Sequence, residues 1–422
     1  MFRTLALTGF FVMALTGCGG GGNAAVAEDD GSDHFRNLPT GWTVAASSAV
    51  PEQQVTTISQ KLGGQIVRLT NTTLSVDGQS IQINTLVCAT DEDAIKVRDA
   101  LLRVHKGNHA LCPREGKLVY EFTRTELKVV ERAYRDLGFK PPKVIYDVSF
   151  QAAPVVKCDA MAWNPMFNAF LVPEPSEARI RELSKRFTFG NQFRLRNHGL
   201  GSEPSSFTLV PKSESKPDPS GDLTTYTFGE LPTQHGVPQV AVTGVVTTEA
   251  YATTPTKRKA GTELLGPTEF WPTMDAEVVA LAKQITGRHT DPGDKVAAIL
   301  AWCASPKNLK YDQRILGSRY GVKTVLKQRY GMCWDFSDCF VTLCRASGVP
   351  CRQVLGWLTG VSGHVWAEVL IEGQGWRQVD PTAGLGCDTR YVPFVATEDG
   401  AMSYVYTSAV RIVPRAANAQ PR

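Results

Sequence analysis

The chain has 422 residues, a formal net charge of +4 and 42% apolar residues. This length allows two or three domains, each with its own core, and the apolar content is ordinary for a soluble protein. So small a net charge gives no electrostatic reason to predict a nucleic-acid partner. No two of the ten cysteines have CxxC spacing and the seven histidines are scattered, so we predict no metal site and no other cofactor.

The first segment, MFRTLALTGFFVMALTGC, has an early arginine, a short apolar run and then small residues. It is too short for a stable membrane span and predicts a secretory signal peptide over residues 1–17. Its end, LTGC, resembles a bacterial lipobox. The resemblance implies a lipid on Cys18 that anchors the protein in the bacterial cell envelope, facing the periplasm, and Gly19 favours the outer membrane. The alternative is an ordinary signal peptide. Residues 18–37 are mostly small and polar and predict a flexible tether.

Residues 38–143 predict a small α+β domain. SIQINTLVCA and KLVYEF are strand-like, and DEDAIKVRDALLRVH and RTELKVVERAYRDLG have helical spacing. Export would permit disulfides, and Cys88 and Cys112 stand at predicted strand ends where a bridge fits, although sequence alone does not fix connectivity. Nothing in this block assembles a catalytic set, so we interpret it as a spacer or binding domain.

Residues 144–258 predict a β-rich, sandwich-like domain. Short apolar runs such as VIYDVSF, LTTYTF and VAVTGVVTTEAYA are separated by Pro, Gly, Ser and Asp, which indicates antiparallel strands. One predicted helix, SEARIRELSKRF, interrupts them. The overall fold class is therefore α+β and multidomain.

Residues 262–415 form the block that carries candidate chemistry. Three helical segments (MDAEVVALAKQITG, DPGDKVAAILAWCAS and GVKTVLKQRYG) and the extended piece NLKYD precede a fourth helix after Gly331. The fourth helix has a buried stripe that includes Cys339 and Cys344, which we predict to be core residues. Cys333 differs, because it lies in the first turn, where free backbone N–H groups and the helix dipole stabilise a thiolate. Asp335 and Asp338 oppose that thiolate, so Cys333 needs a cationic partner.

Two later strands carry candidates for that cationic partner and for an acid that would orient it. His364 opens the strand GHVWAEVLIE, and Asp380 ends the strand GWRQVD before Pro381. Antiparallel pairing would place His364 beside Asp380, with one ring nitrogen bound to the carboxylate and the other facing Cys333. The sequence thus predicts a nucleophile, a base and an orienting acid.

These segments together resemble the transglutaminase-like superfamily, over about residues 275–385. G-x-C-W-x-F-S, G-H-V-W-A-E-V and G-W-x-x-V-D-P-T resemble its cysteine, histidine and aspartate motifs, with Met332 where animal transglutaminases have Gln. The resemblance implies a papain-like domain whose nucleophile begins a helix packed on an antiparallel sheet. It makes Cys333, His364 and Asp380 catalytic. Trp334 and Trp366 match the motifs, and we place them around the site as substrate-pocket candidates that also pack there.

The function implied by this resemblance is acyl transfer from an amide of a protein or peptide through a cysteine thioester. The acceptor, an amine or water, stays open, so both an acyltransferase and a peptidase remain. Cell-wall peptidases of Cys–His type carry D-C-[S/T]-G at the nucleophile, whereas this chain has M-C-W-D. The non-enzymatic alternative is a surface lipoprotein that binds a partner or acts as a scaffold.

Overall fold

The computed structural model describes residues 33–154, 240–259, 261, 264–312, 319–401 and 405–415, together with short strands between 156 and 238. The predicted signal peptide, Cys18 and most of the tether lie outside the described residues. The described chain forms two compact units, 33–142 and 143–415. Within these residues, no helix has both the length and the apolar character needed to cross a bilayer.

The first unit is a five-stranded antiparallel sheet with helices, in the strand order β1-β2-β3-β5-β4. The strands are β1 (Trp42–Ala49), β2 (Ile66–Val76), β3 (Gln79–Cys88), β4 (Arg114–Glu115) and β5 (Leu118–Thr123). The helices are α1 (Asp33–Arg36), α2 (Glu52–Leu62), α3 (Asp91–Val104) and α4 (Leu127–Asp136). Helix α3 begins where the Thr90 hydroxyl accepts from the Asp93 N–H, a standard N-cap. The two strands and two helices named from the sequence are all present.

Cys88 and Cys112 do not form the bridge that the sequence left open. Both residues are buried free thiols. Cys112 does not begin a strand but follows a 3₁₀ turn, His109–Leu111. The strand pattern alone does not fix which strand end a cysteine occupies. In the part of the chain whose side chains are described, all eight cysteines are free.

The second unit begins with a four-stranded antiparallel sheet in the order β11-β16-β6-β25. Its members are β6 (Lys143–Pro154), β11 (Phe193–Leu195), β16 (Val240–Glu249) and β25 (Val405–Pro414). Eight short strands complete the β-rich part: β7 (Val156–Cys158), β8 (Met161–Asn164), β9 (Ala169–Phe170), β10 (Arg186–Gly190), β12 (Ser213–Pro217), β13 (Leu223–Phe228), β14 (Thr233–Gln234) and β15 (Val237–Pro238). The predicted helix SEARIRELSKRF lies outside the described residues except for Arg186 and Phe187, which begin β10.

The remainder of this unit is a larger antiparallel sheet with helices on it. Its order is β17-β22-β21-β20-β24, with β23 beside β22. The strands are β17 (Thr253–Thr254), β20 (Cys351–Leu358), β21 (Ser362–Ile371), β22 (Gly375–Asp380), β23 (Leu385–Gly386) and β24 (Tyr391–Thr397). The helices are α5 (Ala276–Thr286), α6 (Pro292–Ala304), α7 (Val322–Gln328) and α8 (Cys333–Ala346), and a parallel pair joins β18 (Lys310–Tyr311) to β19 (Tyr330–Gly331). The α+β class predicted from the sequence is confirmed.

The predicted blocks 144–258 and 262–415 are joined within this unit. Strand β25, from the end of the second block, pairs with β6, from the start of the first. The Phe150 ring stacks on Phe394 at 4.5 Å between centroids, and the Tyr146 hydroxyl donates to the Thr389 carbonyl at 3.1 Å. Sequence patterns gave a boundary near 260 because they report local elements, whereas this pairing joins residues about 260 positions apart along the chain.

Helix α8 is buried on all sides. The predicted stripe of Phe336, Cys339, Phe340, Leu343 and Cys344 lies in the core with at most 2% of each residue exposed. The opposite face is also buried, and its polar groups have partners: Ser337 donates to the Trp366 carbonyl, and Thr342 to the Asp338 carbonyl. A helix with this much burial must satisfy every polar side chain internally, because no water reaches it. The first turn of α8 is thereby held in a fixed position.

Candidate active site

Cys333 is the first residue of α8, with Met332 in extended conformation before it. Asp335 ties this helix start to the preceding loop, because one carboxylate oxygen accepts from the Met332 N–H at 2.9 Å and the other from the Tyr320 N–H at 2.7 Å. Cys333 is 6% exposed. The thiol therefore sits at a helix N-terminus, in a nearly dry environment where hydrogen bonds and charges act strongly.

Asp338 has a cationic partner that the sequence did not reveal. The Arg319 guanidinium makes two bonds of 2.7 Å to its carboxylate, and both side chains are about 1% exposed. Trp271 and Gln353 each donate a further bond of 2.9 Å to the same carboxylate. The expectation that Asp338 opposes a thiolate is corrected accordingly, because Arg319 neutralises its charge. Arg319 lies outside every recognised motif, so no local signal pointed to it.

His364 and Asp380 lie on neighbouring antiparallel strands, β21 and β22, as predicted. The His364 Nε2 is 2.9 Å from the Asp380 Oδ2, and both residues are at most 5% exposed. The other ring nitrogen, Nδ1, is left for Cys333, and a side-chain hydrogen bond joins His364 to Cys333. The structure therefore brings together the three residues that the sequence proposed as nucleophile, base and orienting acid.

The electrostatics of this pair favour an imidazolium beside a carboxylate. Burial alone would lower the pKa of His364, but the charge and hydrogen bond of Asp380, together with the interaction with Cys333, raise it to about 10. Burial would raise the pKa of Asp380, but the charge of His364 and hydrogen bonds from His364, Thr382 and Tyr391 hold it below its usual value. An imidazolium next to sulfur stabilises the thiolate form, which is the nucleophilic one.

Asp380 is fixed by three donors besides His364. The Thr382 N–H and hydroxyl donate to Oδ1 at 2.8 and 2.7 Å, and the Tyr391 hydroxyl donates to Oδ2 at 2.7 Å. Thr382 belongs to the D-P-T motif, so the sequence offered a signal for it. Tyr391 comes from a different strand, β24, and no spacing pattern indicated it. These bonds orient the carboxylate, which in turn orients the imidazole.

Tyr311 is the further residue at the thiol that the sequence analysis did not single out. It lies on β18, and its hydroxyl forms hydrogen bonds with both the thiol and the backbone N–H of Cys333. Burial, followed by the charge and side-chain hydrogen bond of Cys333, raises the pKa of Tyr311, so the phenol stays protonated. A neutral hydroxyl beside the sulfur is a donor for charge that develops there.

Trp334 and Trp366 are near the site but do not line an open pocket, which corrects that part of the prediction. Trp334 is 1% exposed and Trp366 0% exposed, so neither presents a face to a substrate. Trp366 lies parallel to the His364 ring at 6.1 Å, and its indole N–H donates to Gln378 at 3.2 Å. Trp366 thus packs beside the imidazole, whereas the Trp334 ring lies under the Arg319 guanidinium at 5.0 Å. Among the described residues, no group of three or more His, Cys, Asp and Glu side chains is arranged to hold a metal ion.

Comparisons with known proteins place this site in a family. Residues 279–381 match the model of the transglutaminase-like superfamily. The Mycobacterium leprae protein ML0607 is 29% identical over 139 residues, which cover 31% of this chain and 48% of that protein. A peptide-N(4)-(N-acetyl-beta-glucosaminyl)asparagine amidase of Gallus gallus is 37% identical over 65 residues, 15% of this chain and 9% of the amidase. This chain thus spans about half the length of the first relative and much less of the second.

Among solved structures, the periplasmic domain of TgpA from Pseudomonas aeruginosa, bound to ethylmercury, is similar with a TM-score of 0.30 and 17% identity, over 57% of this chain and 90% of that domain. The matched residues include α6, α7, α8, β20, β21 and β22, and with them Cys333, His364 and Asp380. Residues 279–381 of the second unit therefore form a transglutaminase-like core domain.

Proposed function

We propose that the protein is a cysteine enzyme that transfers the acyl group of a protein or peptide amide through a thioester on Cys333. One observation carries the proposal: a buried His364 is bonded on one side to Asp380 at 2.9 Å and on the other to a thiol at a helix N-terminus. Each feature alone occurs in structural cores. Their combination is the arrangement that nucleophilic catalysis by cysteine requires.

The reaction follows from these positions. The Cys333 sulfur attacks the amide carbonyl carbon, and the carbonyl oxygen becomes an oxyanion. His364, as imidazolium, gives its proton to the nitrogen of the leaving amine or ammonia, and the C–N bond breaks to leave a thioester. The neutral imidazole then takes a proton from the incoming amine or water, which attacks the thioester; the C–S bond breaks and sulfur leaves as the thiolate beside the imidazolium.

Two donors lie next to the sulfur for the oxyanion. They are the backbone N–H of Cys333 and the hydroxyl of Tyr311, which are hydrogen-bonded to each other in this structure. Asp380, fixed by Thr382 and Tyr391, keeps the His364 ring oriented through both proton transfers. The proposal includes both acceptors, an amine for crosslinking or exchange and water for hydrolysis. The amide chemistry named for the Gallus gallus relative supports the reaction class.

The test compares products formed by the wild-type chain and by Cys333→Ala. A glutamine-rich protein is incubated with a fluorescent primary amine, and amine incorporation, ammonia release and peptide fragments are measured. We expect a product with the wild type and none with Cys333→Ala, while Cys339→Ala, which removes a core thiol of the same helix, keeps its activity. Equal signals in wild type and Cys333→Ala would end the proposal. Fragments without incorporated amine would identify a peptidase.

Thiol reactivity separates an enzyme from a non-catalytic scaffold. Iodoacetamide near neutral pH should alkylate Cys333 far faster than Cys339, because only Cys333 has a cationic neighbour at a helix end. Equal rates would favour the scaffold alternative.

For location, we propose an exported protein held at the cell envelope by a lipid on Cys18. The LTGC sequence supports this proposal, and the solved TgpA neighbour is itself a periplasmic domain. Membrane and soluble fractions of cells that produce wild type or Cys18→Ala provide the test. Complete membrane partitioning of Cys18→Ala would contradict the anchor.

A further inference from the structure

A cleft of about 530 Å³ lies next to Tyr311, the residue that is bonded to the thiol of Cys333. Its walls come from the segment that follows α6, from β18 and from the C-terminus of α7, and they include Lys307, Lys310 and Arg329. Tyr311 lines the same cleft, and its hydroxyl is bonded to the thiol of Cys333. One side chain therefore joins the cleft to the reacting sulfur.

The charge of the cleft is mostly positive. Lys307, Lys310 and Arg329 are exposed, and one acid, Asp312, lines the cleft with them. Across the described ranges, no carboxylate lies within ion-pair distance of any of the three cations. Clustered cations that have no carboxylate partner among the described residues attract an anion of the ligand.

The backbone around Arg329 fixes this cluster. Arg329 ends α7 with φ +65°, a left-handed conformation that favours glycine, yet the position holds a long cationic side chain. Its guanidinium lies over the Trp302 ring at 5.8 Å, which limits where the charge can go. The Arg329 carbonyl also accepts from the Lys310 N–H at 2.9 Å, so the main chains of two of the cationic residues are tied together.

The same pairing links the cleft to the helix start. Strand β18 runs parallel to β19, and the Asp312 N–H donates to the Gly331 carbonyl at 3.0 Å. Met332 and Cys333 follow β19 directly. A substrate that holds its amide at Cys333 thus has neighbouring groups within reach of the cleft.

We propose that this cleft binds a carboxylate of the acyl-donor substrate, so that the enzyme selects amides within acidic peptides. The inference rests on the proposed function, because it assigns a substrate class to that same site. Arg329 offers a planar fork that matches a carboxylate, and the two lysines supply mobile point charges around it. The carboxylate has two sources, an Asp or Glu side chain or the peptide C-terminus.

Binding to the full chain carrying Cys333→Ala tests the cleft without any turnover. Four fluorescent peptides share one glutamine-containing scaffold, have either two Glu or two further Gln beside the reactive glutamine, and have a free or an amidated C-terminus. We expect the Glu peptides to bind about tenfold more tightly than the Gln peptides, and salt to reduce the ratio. A preference that follows only the free C-terminus would assign the cleft to a terminal carboxylate instead of a side chain.

The double variant Lys310→Gln/Arg329→Gln, in the same Cys333→Ala background, should lose most of that ratio. The matched control is Lys327→Gln, an exposed lysine on α7 that does not line the cleft, and it should keep the ratio. Circular dichroism and thermal unfolding check that each variant is folded. An equal ratio in the double variant and the control, or no preference for either carboxylate in the parent, would overturn the proposal.

Turnover by proteins that retain Cys333 then separates the two proposals. Discrimination between Glu and Gln peptides should fall about tenfold in the double variant, through KM. If activity depends on Cys333 but the parent and the double variant discriminate equally between Glu and Gln peptides, the cleft proposal is refuted and the enzyme proposal stands. Carboxylate-selective binding without any Cys333-dependent product refutes the enzyme and leaves the cleft as a binding site.

Discussion

The first turn and the middle of helix α8 hold the same residue type in two different environments. Cys339 and Cys344 are fully buried, and burial raises the pKa of both thiols well above the usual value. Cys333, six residues before Cys339, faces His364 and Tyr311 at the helix end. Under the proposed function, Cys333 owes its reactivity to neighbours from other elements and to free backbone N–H groups, while the helix itself supplies a rigid position.

The largest effect should follow from removing His364, the cation that distinguishes the environment of Cys333 from that of Cys339. In His364→Ala, Cys333 loses its hydrogen-bonded imidazolium and its proton donor, so amide turnover should fall by about 10³-fold. Iodoacetamide labelling of Cys333 should fall toward the rate of Cys339, measured by mass spectrometry of tryptic peptides. Unchanged labelling would show that the helix end alone activates the thiol.

The second effect concerns the acid in the middle of α8. Arg319→Met leaves Asp338 buried without its cation, which should destabilise the protein by about 3–5 kcal/mol. The control is Lys323→Met, because the Lys323–Asp275 pair is solvent-exposed on the lysine side and its loss should cost less than about 1 kcal/mol. Urea unfolding measures both. Equal costs would mean that the buried pair contributes no more than a surface pair.

A pH series tests the charge state of the His364–Asp380 pair. The pKa of His364 is raised to about 10 in the folded chain, above its usual 6.5, so its contribution to stability is complete below 6.5 and is lost as pH rises through about 10. The pKa of Asp380 is lowered in the folded chain, so its ionised form adds to stability. That contribution is lost as the pH falls through the lowered pKa.

The difference in unfolding free energy between wild type and His364→Gln should therefore shrink between pH 7 and pH 10, and His289→Gln serves as the control for replacing a histidine outside the site. NMR of the imidazole should show no titration of His364 between pH 6 and pH 8. A titration near 6.5 would contradict the ion pair.

The smallest effect should come from the outer support of Asp380. Tyr391→Phe removes one hydrogen bond of 2.7 Å to the carboxylate and should lower kcat about five- to tenfold, equivalent to about 1 kcal/mol. Tyr146→Phe is the matched control, because it loses a buried bond to the Thr389 carbonyl that does not involve the site. A similar loss of kcat in both variants would indicate general loosening instead of positioning.

Much of the C-terminal unit could be predicted because its elements are local. The helix start at Cys333 follows from the glycine before it and the apolar stripe after it, and the strands that carry His364 and Asp380 follow from alternating apolar residues. The pairing of those two strands is also nearly local, since a short turn joins β21 to β22. These patterns, with the family motifs, determined the class of fold and the three candidate residues.

Only the tertiary structure decided what surrounds those residues. Arg319 beside Asp338, Tyr311 on the thiol and Tyr391 on Asp380 come from separate elements, and no sequence spacing encodes such contacts. The pairing of β25 with β6 likewise joins residues that are far apart along the chain. The reason is physical: periodicity reports which face of one element is buried, whereas the partner of a buried charge or thiol depends on how distant elements pack.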